Sequence, residues 1–254
     1  MSAAGRTPAP TRRAVVLGIG GLGCPAALAL LEAAGQRALG LQLVLVDDDV
    51  VERSNLSRQI LFREADVGRP KVEAAKEALR ALAGASEASI EIVCLRLRFT
   101  AESAPEILRG ASMLLDGTDD FPTRFLANDA ARAAGVPLVH GAVLGWIGQL
   151  LTVVPGGGGC LRCFFEGPPP VGAVPACAEA GVASPLCGLV GAAMAGEAVR
   201  LLRDEPPRAA SRLLRWNGLA GTVRESQVRR DPACPACAAP AARASSLFAT
   251  QRSL

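Results

Sequence analysis

Four cysteines in this chain occur as two Cys-x-x-Cys pairs, a spacing typical of bound metal. The pairs are Cys160/Cys163 and Cys234/Cys237. Two such pairs can supply four thiolates to one tetrahedral zinc ion, which leaves no open position for a substrate. Two disulfides or two redox-active pairs are the alternatives. The pattern therefore predicts a structural zinc site.

A glycine-rich turn near the start of the chain is suited to binding a nucleotide. The apolar segment 14–17 leads into this turn, and a helix of small residues is predicted after it. A turn without Cβ atoms lets a phosphate approach the backbone, and the free N–H groups and dipole of the helix favour an anion. The glycines concerned are Gly18, Gly20, Gly21 and Gly23. A glycine-rich turn without a ligand is the alternative.

Polar residues that follow other predicted strands extend this site. Asp47 ends the apolar segment 41–46, where an acid could bind ribose hydroxyls. Asp119 follows a later strand and could bind a magnesium ion that bridges phosphates. The loop and helix after Asp47 carry further polar and cationic side chains, namely Asn55, Arg58, Gln59 and Lys71. These cations and the amide could hold the β- and γ-phosphates and stabilise a departing pyrophosphate. A solvated salt-bridge network is the alternative.

The remaining cysteines and the histidine carry weaker signals. Cys177 lies in a Pro/Gly-rich loop and could be a nucleophile, although a lone cysteine is more often inert. Cys24, Cys94 and Cys187 lie in apolar segments and are predicted to belong to the core. His140, the single histidine, directly follows a predicted strand and is assigned no role.

The order of predicted elements indicates the fold. Strands are predicted at 14–17, 41–46, 90–97, 113–115 and 137–139, with helices at 24–34, 70–82, 105–108 and 123–134 between them. This alternation is typical of a doubly wound, mostly parallel sheet. After Gly148 the pattern changes to a strand at 149–154, a helix at 186–202 and an antiparallel pair, 212–216 and 222–228, around the turn dipeptide Asn217-Gly218. We therefore expect an α/β fold, a Rossmann-like sheet extended by antiparallel C-terminal strands with a zinc site.

Composition excludes several classes of function. The chain has 254 residues and a formal net charge of only +3. Aromatic residues make up 4% of the chain, and none of them is a tyrosine. The low charge and the scarcity of aromatic residues argue against a nucleic-acid binder. No uninterrupted apolar run reaches the roughly 20 residues of a membrane span. Arg12-Arg13 ahead of an apolar run resembles a secretory signal, but Glu32 and Arg37 follow closely, and cleavage would remove the first strand. Thiolate metal ligands suit a reducing cytoplasm, so we expect a cytoplasmic protein.

Taken together, these motifs resemble the ThiF/MoeB/HesA family, the bacterial relatives of ubiquitin-activating enzymes. The resemblance runs from about Arg13 to Cys237 and rests on the following segments in order: Gly18-Ile19-Gly20-Gly21-Leu22-Gly23, Asp47, Asn55-Leu56-Ser57-Arg58-Gln59, Gly68-Arg69-Pro70-Lys71, Thr118-Asp119-Asp120, Cys160/Cys163, Cys177-Ala178-Glu179-Ala180-Gly181-Val182 and Cys234/Cys237. It implies ATP-dependent adenylation of the C-terminal glycine of a ubiquitin-like sulfur carrier that ends in Gly-Gly, with release of pyrophosphate. It also implies a homodimer that uses ATP, Mg²⁺ and Zn²⁺.

The resemblance also implies roles for individual residues. The glycine loop binds ATP, Asp47 binds ribose, Asp119 is the essential acid near magnesium and the paired cysteines hold zinc. Asn55, Arg58, Gln59 and Lys71 contact phosphates in this scheme. Cys177 matches a cysteine that, in some members, forms a sulfur-linked intermediate with the carrier.

The chain departs from the family pattern in three ways. The family's N-terminal helix carries an Arg-Tyr-x-Arg-Gln-like motif whose arginine reaches the partner subunit's ATP, whereas the thirteen residues before the first predicted strand carry no such motif. Arg12 and Arg13 stand at the start of that strand, far from a nucleotide at its carboxyl end. Asp120 replaces the usual asparagine, and no rhodanese domain follows.

We expect one continuous domain with four stretches. These are a flexible arm at 1–13, a nucleotide-binding half at 14–147, an antiparallel and helical half at 148–237 with the zinc site and a carrier-binding surface, and a loose tail at 238–254. Two other functions remain open. One is an NAD(P)-dependent dehydrogenase, and the other is a degenerate scaffold that binds a carrier without activating it. The sequence leaves the particular carrier and its pathway open.

Overall fold

A computed structural model describes residues 11–36, 40–83, 90–165, 167–170 and 181–238. Within these residues, eight strands form one sheet in the order β3-β2-β1-β4-β5-β6-β7-β8. The strands are β1 (Arg12–Leu17), β2 (Leu41–Val46), β3 (Ile90–Leu95), β4 (Met113–Asp116), β5 (Leu138–Leu144), β6 (Ile147–Val153), β7 (Arg212–Asn217) and β8 (Thr222–Gln227). The helices are α1 (Gly23–Gln36), α2 (Lys71–Ala83), α3 (Ala104–Ile107), α4 (Phe121–Ala134), α5 (Leu161–Phe165), α6 (Ser184–Leu202) and α7 (Pro235–Ala238).

The direction of the strands confirms the predicted fold class. Strands β1 to β5 pair in parallel, and β6, β7 and β8 are added antiparallel to the preceding strand. The carboxyl ends of the parallel strands therefore meet at one edge of the sheet, and the β5–β6 turn and the β7–β8 loop return to that same edge. In doubly wound sheets this edge is where ligands bind.

Three elements differ from their predictions. Strand β5 extends to Leu144 instead of ending at 139, because it continues as a hairpin with β6, and His140 therefore lies within the strand. Helix α5 forms around the second cysteine of the first Cys-x-x-Cys pair, where no helix was predicted. The β7–β8 connection spans residues 218–221, because Asn217 belongs to β7 and not to the connection, and Asn217 Oδ1 accepts hydrogen bonds from the N–H groups of Leu219 and Ala220.

Two apolar layers cover the sheet. Helices α1, α2 and α6 pack on one face, and α3, α4, α5 and α7 pack on the other. Helix α6 has the length and the apolar composition of a membrane-spanning helix. However, half of its most apolar 18-residue stretch is buried inside the protein. Its extensive contacts with α1, β5 and β6 indicate a core helix.

A buried carboxylate on α6 fixes the loop that leads into β7. Glu197 is 5% exposed. Its Oε2 accepts hydrogen bonds from Thr152 Oγ1 and Ala209 N–H at 2.8 Å each, and its Oε1 accepts one from Arg208 N–H at 2.9 Å. The side chain thus satisfies three donors at the end of α6 farthest from the candidate ligand edge.

We expect Glu197→Ala to lower the free energy of unfolding by about 3 kcal/mol, because it leaves buried donors without an acceptor. Urea denaturation measures the change. Glu205→Ala is the matched control, since Glu205 is half-exposed and forms only surface ion pairs with Arg200 and Arg203. Equal losses for the two variants would contradict the proposed role of the Glu197 hydrogen bonds.

Candidate active site and metal centre

A cavity of about 580 Å³ opens at the carboxyl edge of the parallel strands. This volume lies within the range of small-molecule sites. The cavity is lined by most of the residues that the sequence indicated for nucleotide binding, namely Gly18, Gly20, Gly21, Asp47, Asn55, Arg58, Gln59, Lys71 and Asp119. Four separate chain segments thus converge on one site.

The glycine loop depends on glycine at two positions. Gly18 has φ +82°, a conformation that side chains with a Cβ rarely adopt. A Cβ at Gly23 would overlap the carbonyl oxygen of Gly18. Gly23 therefore lies behind the loop, where it permits the sharp entry into α1, and does not line the cavity.

Asp47 holds the glycine loop against the end of β2. Its Oδ2 accepts a hydrogen bond from Ile19 N–H at 2.7 Å, and its Oδ1 accepts one from Asp49 N–H at 2.9 Å. Burial raises the pKa of Asp47, and the nearby Lys71 ammonium opposes that shift. This carboxylate is therefore a structural part of the loop as well as a candidate ribose ligand.

Lys71 is a buried cation among acids. It is 7% exposed, and its Nζ lies 2.7 Å from Asp49 Oδ2 and 4.0 Å from Asp47 Oδ1. Burial alone would lower the pKa of Lys71, but the carboxylates of Asp47, Asp49 and Asp119 together raise it above its ordinary value. The ammonium is therefore charged at neutral pH and available to a phosphate at the cavity wall.

The segment after the short 3₁₀ helix Arg53–Asn55 supplies a second cation and an amide. Arg58 donates a hydrogen bond to Asn55 Oδ1 at 2.6 Å, which fixes the guanidinium at the cavity. Gln59 is only 3% exposed, and its Oε1 has no hydrogen-bond partner among the described residues. A buried acceptor without a donor is unfavourable, so this amide fits a site completed by a ligand.

The loop that carries Asp119 is held by a buried acid–histidine pair. Asp116 Oδ2 lies 2.8 Å from His140 Nδ1, and its Oδ1 accepts hydrogen bonds from Thr118 N–H and Oγ1. Burial would raise the pKa of Asp116, but the bonds to His140 and Thr118 lower it below its ordinary value. His140 is therefore a buried ring with a hydrogen-bond partner.

The residue after Asp119 has a structural function. Asp120 Oδ1 accepts a hydrogen bond from Thr123 N–H at 2.9 Å and forms the N-cap of α4. Asparagine and aspartate cap helices about equally well. This cap therefore gives a physical reason why the chain can carry aspartate where the family usually has asparagine.

Sequence reasoning missed several residues that line the cavity. Arg124 is 7% exposed and donates from Nε and Nη2 to Thr118 O at 3.0 and 2.9 Å, which ties α4 to the Asp119 loop. Arg98 and Phe99 also line the cavity, just after β3. The carboxyl end of β3 could have been examined in the same way as those of β1, β2 and β4. Cys187, predicted to be core, is buried but also lines the cavity beside Gly21.

Two further predictions concern residues away from the cavity. Arg12 and Arg13 lie at the opposite edge of the sheet, as expected, where Arg12 forms an ion pair with Asp204 at 2.6 Å. Arg13 donates to the carbonyl oxygens of Ile107 and Arg109. Cys177 lies outside the described residues, so its role stays a prediction.

The four paired cysteines form a compact cluster. Their sulfur atoms all lie within 4.8 Å of one another, with Sγ–Sγ distances of 3.8 Å for Cys160–Cys163, 3.7 Å for Cys160–Cys234 and 3.6 Å for Cys163–Cys237. Four sulfur atoms at about 2.3 Å from a tetrahedral zinc would stand about 3.8 Å apart. These four cysteines are not joined by disulfide bonds in the structure, so the cluster fits a metal centre and not a pair of disulfides.

Polar groups surround the metal centre and connect it to α4. Asp231 N–H donates to Cys163 Sγ at 3.4 Å, and Asn128 Nδ2 lies 3.7 Å from Cys160 Sγ. The Arg162 guanidinium forms a two-pronged ion pair with Asp129, the residue that follows Asn128 on α4. Such hydrogen bonds and charges offset the negative charge of thiolate ligands.

Comparisons with known proteins agree with this geometry. A model of the ThiF family matches residues 3–236. The chain is 44% identical over 225 residues to the SAMP-activating enzyme E1 of Haloferax volcanii. This match covers 89% of this chain and 80% of that relative. The chain is 43% identical over 228 residues to the sulfur carrier protein adenylyltransferase of Thermus thermophilus. This match covers 88% of this chain and 81% of that relative. The crystal structure of E. coli MccB with ATP has a TM-score of 0.75 at 22% identity, covering 90% of this chain and 67% of that chain, and shows the same fold.

We expect purified protein to contain about one zinc ion per chain, because the sulfur spacing matches a tetrahedral four-thiolate site. Elemental analysis measures the metal, and the Cys160→Ser/Cys163→Ser variant should lose it and melt at a lower temperature. Cys94→Ser is the control, since the Cys94 thiol donates to Val72 O away from the cluster. Metal-free protein with all four cysteines in disulfides would disprove the assignment.

Proposed function

Since this chain belongs to the ThiF family, we propose that it uses ATP to adenylate the C-terminal glycine of a ubiquitin-like sulfur carrier and releases pyrophosphate. One observation carries the proposal. The glycine loop, an acid at the end of β2 and the cations Arg58 and Lys71 line a single cavity. Two relatives that are more than 40% identical are named SAMP-activating enzyme E1 and sulfur carrier protein adenylyltransferase.

A dehydrogenase is the weaker candidate for this cavity. A dinucleotide has one pyrophosphate, which the glycine loop and the start of α1 suffice to bind. The additional cations Arg58 and Lys71 fit a longer phosphate chain. The one histidine, His140, is buried against Asp116 and does not line the cavity, so no histidine is placed to exchange a proton with a carbonyl substrate.

The proposed reaction needs no protein base. A glycine carboxylate is already ionised near neutral pH and can attack the α-phosphorus of ATP directly. The new bond joins the carboxylate oxygen to the α-phosphorus, and the bond from that phosphorus to the bridging oxygen of pyrophosphate breaks. Catalysis then rests on positioning and on stabilising the charge of the leaving group.

Each cavity residue has a proposed part in this reaction. The glycine loop and the N–H groups at the start of α1 bind phosphate oxygens, and Asp47 binds the ribose. Arg58 and Lys71 neutralise the departing pyrophosphate, assisted by Asn55 and Gln59. Asp119 would hold a Mg²⁺ ion, which when bound supplies further positive charge to the phosphates.

The carrier is proposed to dock where two strand connections meet the cavity edge. Trp146 in the β5–β6 turn is 46% exposed, and Leu219 in the β7–β8 loop is 75% exposed. The two connections contact each other, because Gly218 N–H donates to Trp146 O at 2.8 Å. Gly145 also pairs with Val182, which lines the cavity. A carrier seated on these apolar side chains could pass its C-terminal tail directly into the cavity.

A second copy of the chain is proposed to cover the outer side of α6. The exposed residues of this helix form one apolar stripe, Pro185, Leu189, Ala192 and Gly196. Leu189 is 46% exposed. The stripe begins beside Cys187, which lines the cavity, so a subunit packed there would lie next to the nucleotide. This arrangement fits the homodimer that the family resemblance implies.

The proposed compartment is the cytoplasm. Cys160, Cys163, Cys234 and Cys237 are grouped as candidate metal ligands and are not joined by disulfide bonds. Reduced thiols and thiolate ligands are characteristic of a reducing environment.

We expect Asp119→Ala and Lys71→Ala each to lower carrier-dependent ATP–pyrophosphate exchange about a hundredfold or more, because Lys71→Ala removes a cation that stabilises the leaving pyrophosphate and Asp119→Ala removes the proposed Mg²⁺ ligand. Isotope exchange measures the rate, and circular dichroism checks the fold. Lys76→Ala is the matched control, since Lys76 lies on the same helix but does not line the cavity. Exchange at the wild-type rate in both site variants would refute the proposed site.

We expect Leu189→Glu to weaken the homodimer at least tenfold, because it places a charge in the apolar stripe. Light scattering after gel filtration measures the mass over a range of concentrations. Leu82→Glu is the control, since Leu82 is 59% exposed on α2, outside the stripe. A monomeric wild-type protein, or a variant as dimeric as the wild type, would contradict the proposed interface.

A further inference from the structure

Two arginines face each other across the last two strands of the sheet. Arg215 on β7 and Arg224 on β8 are directly opposite in the antiparallel register, so their side chains leave the same face of the sheet. Both are exposed. Within the described part of the chain, neither has an ion pair or a side-chain hydrogen bond.

This arrangement is unfavourable for the isolated protein. Directly opposed residues in an antiparallel pair have Cβ atoms about 5 Å apart, and like charges at that distance destabilise the sheet. The other face of the same two strands shows the favourable alternative, because Arg212 there forms an ion pair with Glu225 at 3.3 Å. This hairpin therefore pairs opposite charges on one face, whereas two like charges lie opposite each other at Arg215 and Arg224 on the other face.

The surroundings of the pair leave it open to a partner. Farther from the hairpin loop, the same face is covered, since Leu213 and Val228 are buried together with the cysteines of the metal centre. Toward the cavity edge, only the pairs Trp216–Val223 and Asn217–Thr222 separate the arginines from the loop that carries Leu219. Every residue of β8 is exposed, so this part of the sheet ends without a cover.

We propose that Arg215 and Arg224 form a docking site for acidic side chains on the body of the carrier protein. The proposal rests on the proposed function, and it adds the chemistry of the partner's surface. A planar guanidinium pairs with a carboxylate through two parallel hydrogen bonds, and two adjacent guanidinium groups attract a cluster of acids.

The position of the pair favours a carrier as its occupant. At about 3.3 Å per residue, the arginines lie roughly 7 Å from the end of the hairpin. The arginines are therefore within reach of a carrier whose tail enters the cavity beside Trp146 and Leu219. Its acidic side chains would gain the pairing that the chain itself lacks at this face, and the positive pair would accelerate encounter with the carrier.

The test compares two neutral variants of the same hairpin. Arg215→Gln/Arg224→Gln should raise the KM for a small ubiquitin-like carrier ending in Gly-Gly about tenfold or more, with kcat and the KM for ATP changed less than twofold. Its melting temperature should stay equal to the wild type or rise, because a repulsion is removed. Arg212→Gln, which breaks the ion pair on the opposite face, should leave the KM for the carrier unchanged. Added salt should raise the wild-type KM and have little effect on the double variant.

The outcomes separate this inference from the proposed function. A double variant with wild-type KM for the carrier overturns the docking site, while exchange by the wild-type protein upholds the adenylation. If the wild-type protein shows no exchange, fluorescence anisotropy with the labelled carrier decides, and equal Kd values for wild type and double variant overturn the site. If the double variant binds the carrier as well as the wild type but no longer binds a bulk transfer-RNA probe, the arginines are an RNA-binding site, and the proposed docking site is overturned.

Discussion

The hydrogen bond from the Ile19 amide to Asp47 Oδ2 joins the carboxyl ends of the adjacent strands β1 and β2, and the cavity depends on it. It holds the glycine turn after β1 against the carboxyl end of β2. The same carboxylate lies within 4.0 Å of Lys71 Nζ, so the first turn of α2 is drawn to this edge as well. Loss of this interaction would separate the elements that bring phosphate-binding groups together. The site is therefore assembled by one acid that contacts three consecutive parts of the fold.

Helix α4 links the cavity to the metal centre. It begins at the cap formed by Asp120, and Arg124 in its first turns clamps the carbonyl of Thr118 in the loop that carries Asp119. Later in the helix, Asn128 lies near Cys160 Sγ and Asp129 pairs with Arg162. A metal ion bound by the four cysteines would thus anchor α4 about two turns beyond the loop that carries Asp119. A structural metal is then relevant to the active site without any contact with substrate.

Two unfavourable features of the isolated chain lie at surfaces where we infer a ligand. The Oε1 atom of Gln59 is buried without a hydrogen-bond partner within the described residues. Arg215 and Arg224 oppose each other on an uncovered face. Natural sequences tend to depart from the locally most stable choice at functional sites. In contrast, the buried Glu197 and Asp116, which do not line the cavity, have hydrogen bonds for both oxygens.

The sequence by itself determined the class of the fold, the glycine-rich turn after β1 and the four cysteines that form one cluster. Each of these depends on a local pattern, such as glycines between an apolar strand and a helix, or two Cys-x-x-Cys pairs. It also placed Asp47 and Asp119 at the same edge, because parallel strands expose their carboxyl ends together. The strand β2 was located at its observed bounds, since an apolar run flanked by polar residues marks a buried strand clearly.

Only the tertiary structure decided which charges meet. The contact of Arg124 with Thr118 O, the pairing of Asp116 with His140 and the opposition of Arg215 and Arg224 all depend on how one element is positioned against the next, which no local pattern specifies. Strand β5 could not be located fully either, because its second half is stabilised by pairing with β6 and not by its own pattern. Local propensity acts over a few residues, whereas register and side-chain pairing are set by the packing of the whole sheet.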